Sequence, residues 1–124
     1  QVDDITARSK VCTDAGKPAI TINQYQSQQD ATATVISGKN DAMLADSPIT
    51  GYAVKTSDGQ LQIIGTVYDT APYGVGLPKA KGDFAKAVQG AIAAMIADGT
   101  YASILDKYGA ADGGVTESVI NGAK

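Results

Sequence analysis

The chain has 124 residues, with 44% apolar and 19% charged residues, fourteen glycines and a formal net charge of −3. That is the profile of one folded domain rather than of a disordered segment. An acidic chain without a Lys/Arg cluster excludes nucleic acid and an anionic membrane surface as obvious partners. With no histidine and a single cysteine, Cys12, the chain cannot build the usual metal clusters or Cys-His and Ser-His catalytic pairs, so no cofactor and no metal are expected.

Val2, Ile5, Ser9 and Cys12 recur at helical spacing before Gly16 and Pro18, which predicts a helix over residues 2 to 14. "AITINQY" alternates Ile20 and Ile22 with Thr21 and Asn23 and reads as a strand ending near Tyr25. Ser27, followed three residues later by Asp30, opens a second helix that Gly38 closes.

"DAMLAD", residues 41–46, reads as a buried strand entered at Asp41. Ser47 is placed to cap a helix whose first residue is Pro48 and which runs to about Lys55. "SDG" at 57–59 is a turn, and "QLQIIG" after it alternates like a third strand. Pro72, Gly74, Gly76 and Pro78 then allow only an extended crossing segment, with Tyr68 to Tyr73 as the boundary and the two glycines suited to close backbone packing.

Phe84, Ala87, Val88, Ala91, Ile92, Met95 and Ile96 mark one face of a helix that Gly99 ends. Thr100 is expected to cap a shorter helix carrying Tyr101, Ile104, Leu105 and Tyr108, and "VTESVINGAK" to add a last turn or helix. No segment reaches the ~20 apolar residues of a membrane-spanning helix. "QVDDITARSK" has no apolar core of the kind a signal peptide needs, so any leader lies outside this chain.

Alternating strands and helices through residue 68 imply an α/β fold with a mainly parallel sheet, in which ligands gather beyond the carboxyl ends of the strands. Asp46 ends the second such strand. A carboxylate there suits a bound ammonium through a charge-assisted hydrogen bond, and it equally suits the positive end of the following helix dipole.

The succession "YQSQQDATATVISGKNDAMLADSPITGYAVK", "YGVGLPK" and "DFAKAVQGAIAAMIADGTYASILDKYG" resembles the family 3 extracellular solute-binding proteins, the amino-acid receptors of ABC importers, of polar amino-acid or glutamate type. The resemblance implies a periplasmic-binding-protein-like α/β fold of two lobes closing over one amino acid. It assigns residues 1–68 to part of the second lobe, 69–73 to a hinge crossover and 74–124 to the C-terminal part of the first lobe.

It also implies that the Asp of "LADSP", Asp46, meets the ligand α-amino group; beside it Ser47, as the residue at a helix start, is a weaker candidate for ligand contact. A whole receptor of this family is considerably longer, and the opposing arginine belongs to its earlier half, so the chain resembles a C-terminal fragment. It is expected to be incomplete without an N-terminal half or a second copy exchanging strands, and to bind poorly alone. The resemblance further implies a non-enzymatic binding function, delivery to an ABC permease at the membrane, and an extracytoplasmic place, periplasmic or lipid-anchored. The alternative is an enzyme on the same fold, such as a cyclic-carboxylate dehydratase, which would want a placed general acid.

Overall fold

The computed structural model describes residues 1–122, which form two compact units, Gln1–Asp46 and Ser47 onward. The lobe assignment of the sequence refers to a two-lobe protein and is separate from this division.

In the first unit, α1 spans Val2–Asp14 as the spacing of its apolar positions predicts. Asp3 and Asp4 lie in its first turn, where negative charge complements the helix dipole. Arg8 reaches Asp4 at 3.1 Å and Lys10 reaches Asp14 at 2.8 Å, each one turn away. Gly16 then adopts φ +72°, and the Lys17 and Gly16 amides donate to the carbonyls of Cys12 and Thr13. That pair of bonds satisfies carbonyls that the helix end would leave open. Cys12 is half-buried and carries a free thiol.

The second helix, α2, spans Gln28–Ile36, and the Ser27 hydroxyl accepts from the Asp30 amide at 3.1 Å, the expected cap. Gly38, at φ +71°, closes it.

The second unit begins with α3, Ser47–Lys55, which starts at Ser47 itself, with Pro48 in the first turn where its missing N–H costs nothing. The turn after it holds Ser57, 5% exposed, whose hydroxyl donates to the Val54 carbonyl and accepts from the Leu61 amide. Helix α4 spans Phe84–Ala97 and α5 spans Thr100–Lys107, in contact with each other across a left-handed Gly99 at φ 83°. Short 3-10 turns lie at Lys79–Lys81 and Ala111–Gly113. Among the described residues, no single helix is long and apolar enough to cross a membrane.

The α-helices of the sequence reading are all present, and its strands are not. Among the described residues no β-strand forms: residues 19–25, 41–46 and 60–65 carry no ladder. The physical reason is that alternation specifies which face a strand would bury, whereas a strand also needs a neighbour to take its N–H and C=O groups. Here those groups find other partners, as when the Ile20 amide donates to Ser9 Oγ at 2.9 Å.

Three smaller expectations change. The Thr100 amide is held by Asp98 Oδ1 at 2.9 Å, so Asp98 satisfies the start of α5 and Thr100 is its first helical residue. Gly74 and Gly76 pack against nothing, since a Cβ on either would meet no atom within 4 Å. The tail forms only a turn near Ile120 within the described residues, and Ala123 and Lys124 lie outside them.

Candidate functional site

The site residue with a defined setting is Asp46, at the end of segment 42–46 in the first unit and exposed. Its Oδ1 accepts a hydrogen bond from Gln1 Nε2 at 2.9 Å, across 45 positions of sequence. Gln1 is the N-cap of α1, and its own carbonyl accepts from the Ile5 amide at 3.0 Å. The carboxylate thus stands beside the start of a helix, with the neutral Gln1 amide among its donors.

Segment 40–46 reaches that position along α2. Asn40 is bound to Thr34 at the C-terminal end of the helix, through its backbone amide to the Thr34 carbonyl at 3.0 Å and through Nδ2 to Thr34 Oγ1 at 2.8 Å. Met43 Sδ accepts from Gln28 Nε2 at 3.4 Å and from Thr32 Oγ1 at 3.5 Å, nearer the N-terminal end. The segment therefore runs from the end of α2 back toward its beginning and finishes at Asp46.

Asp41, expected as a turn and entry residue, lies at a bend where this segment starts. Ser47 is exposed and opens α3 in the second unit. Gln1 escaped the sequence reading: a glutamine at a helix start is ordinary, and no local spacing links positions 1 and 46.

Tyr25, half-buried, belongs to the same unit. Its hydroxyl accepts from Asn40 Nδ2 at 3.0 Å. The Asn40 amide, then the Thr34 hydroxyl, and last the Lys39 charge hold the phenol below its ordinary pKa of 10.0, with burial opposing them. Each of the first three favours the phenolate.

Known proteins resemble this chain along most of its length. Over 121 residues, 98% of this chain, the sequence is 34% identical to the arginine-binding protein ArgT of Corynebacterium glutamicum. It is 35% identical over 96 residues, 72% of the chain, to the L-arginine-binding protein of Pseudomonas aeruginosa. It is 25% identical over 91 residues, 73% of the chain, to the ABC transporter glutamine-binding protein GlnH of Bacillus subtilis.

The chain is homologous to the amino-acid-binding proteins of ABC transporters.

This homologue of amino-acid-binding proteins spans 40%, 37% and 33% of those three relatives, respectively. All three are named as binding proteins, in accord with the expectation that the chain is not an enzyme. No family model matches the chain, and no solved structure matches it significantly.

Proposed function

We propose that this chain forms part of a receptor that binds a polar amino acid and delivers it to an ABC permease outside the cytoplasm. The observation that carries this reading is the 34% identity to an arginine-binding protein along 98% of the chain. Asp46 is the residue that accepts the ligand α-ammonium. Its support is chemical: a carboxylate exposed at this position is the group that meets an ammonium through a charge-assisted N–H⁺···O bond. Ser47, exposed at the start of α3, is carried with it as the second ligand contact.

The lobes, the hinge at residues 69–73 and the α/β sheet belong to the same proposal. Residues 19–25, 41–46 and 60–65, read as strands, form no ladder among the described residues, and a companion, either an N-terminal half or an exchanged second copy, supplies their pairing. The 124-residue chain alone binds its amino acid weakly or not at all, because the groups that hold the ligand carboxylate are not within it.

Calorimetric titration of arginine and glutamine into a protein carrying this segment tests the function. Saturable binding of either supports the reading, and no heat of binding with any proteinogenic amino acid overturns it.

A further inference from the structure

We infer that Asn40 is a positioning residue for the amino-acid site: its side chain fixes where segment 41–46, and with it the Asp46 carboxylate, stands relative to α1 and α2. The inference rests on the proposed role of Asp46.

Asn40 uses every hydrogen-bonding group of its amide within the first unit. Nδ2 donates to Tyr25 Oη at 3.0 Å and to Thr34 Oγ1 at 2.8 Å, and Oδ1 accepts from Asn23 Nδ2 at 3.0 Å. Its backbone amide donates to the Thr34 carbonyl at 3.0 Å, an oxygen that also accepts from the Ser37 hydroxyl at 3.2 Å. Thr34 Oγ1 in turn donates to the Ala31 carbonyl at 2.7 Å, which fixes its lone pairs toward Asn40. One side chain thereby joins three stretches of chain: residues 23–25, the last turn of α2, and the start of the segment that ends in Asp46.

The next anchor is Met43, three residues on, bonded to Gln28 and Thr32 of α2, and the third is Asp46 itself, bonded to Gln1. The anchors fall at 40, 43 and 46. Thioether sulfur is a weak acceptor, so the middle anchor holds loosely. No ladder hydrogen bonds fix the register of residues 42–46. The four bonds of Asn40 fix the start of the segment, and a slip there moves the Asp46 carboxylate out of reach of Gln1 and of a bound ammonium.

A double-mutant cycle on a protein carrying this segment tests the inference, reading arginine affinity at a temperature where every variant is folded. Asn40→Ala is expected to weaken binding roughly tenfold when Asp46 is present and less than about twofold in the Asp46→Asn background. Equal losses in both backgrounds indicate a general loss of structure and overturn the inference, as does an unchanged affinity in Asn40→Ala alone. If Asn40→Ala does not fold, Tyr25→Phe and Thr34→Val, each removing one partner of the same amide, take its place in the cycle with the same expected coupling. An affinity unchanged by Asp46→Asn overturns the site reading itself and the positioning role with it, and is distinguished by leaving the Asn40 effect without a target.

Discussion

Gly51 of α3 and Gly109, the residue that closes α5, meet backbone to backbone. A Cβ built on Gly51 would overlap the Gly109 carbonyl oxygen, with the carbonyl carbon 3.0 Å away, and a Cβ on Gly109 would stand 2.9 Å from the Gly51 carbonyl carbon. Gly109 also holds φ +71°, a left-handed conformation that side chains disfavour. Gly51 and Ala53 are the buried residues of α3.

Alanine at position 51 is accordingly expected to destabilise the second unit. Helix propensity alone favours Ala over Gly by ~0.8–1.0 kcal/mol. The overlap with backbone costs about 1–3 kcal/mol and wins. Gly90, inside α4 with nothing within 4 Å of its Cβ position, is the control. Thermal unfolding should show Gly51→Ala melting below the parent chain and Gly90→Ala above it.

Lys55 holds the same junction from its rim. Its Nζ donates to the Asp106 carbonyl and lies 3.8 Å from the Asp106 carboxylate. A cation at a helix C-terminus is favoured by the dipole and by the open carbonyls there. With the lysine 44% exposed, Lys55→Met should cost about 0.5–1.5 kcal/mol, read as a lowered urea midpoint with an unchanged slope.

Acid should loosen the start of α5 through Asp98. The Thr100 hydroxyl first, and then the Thr100 amide, hold its carboxyl below its ordinary value of 3.8. Because the folded-state pKa is depressed, the stabilisation is complete above the unfolded value and is lost as pH falls through the lower, folded value. A helicity titration by circular dichroism should show an acid-dependent loss that Asp98→Ala lacks, the variant having reduced helicity already at neutral pH.

Tyr25 should ionise below the ordinary tyrosine value of 10.0. With Asn40, Thr34 and Lys39 all favouring its phenolate, its contribution to stability grows through the alkaline range and is lost as pH falls through its folded-state pKa. Tyrosinate absorbance followed against pH should lose a component below the ordinary tyrosine range in Tyr25→Phe.

The helices were legible because their signals are local. Ser27 caps α2 through the Asp30 amide three residues away, and Gly16, Gly38, Gly99 and Gly109 each take the left-handed conformation that closes a helix end. The strands were not, although "AITINQY" and "QLQIIG" have the right alternation, because pairing depends on a second strand that the pattern of one segment does not contain. The start of α5 differs by one residue for a related reason: Gly99 is its N-cap, Thr100 its first helical residue, and the Asp98 carboxylate takes the Thr100 amide. At the site, Asp46 stood out by its place between an apolar run and a helix start. Gln1 and Asn40 did not, since their bonds to Asp46 and Tyr25 span 45 and 15 residues.

The central claim is that Asp46 receives the ammonium of an amino acid. Its most direct test is the calorimetric affinity for arginine of a protein carrying this segment, with Asp46 and with Asp46→Asn, an isosteric change that removes the charge and keeps a hydrogen-bonding group beside Gln1. Loss of a hydrogen bond to a charged group predicts a weakening of about 1.5–3 kcal/mol, roughly tenfold or more in Kd. An affinity unchanged by the substitution, in a variant that melts at the same temperature, would contradict the claim.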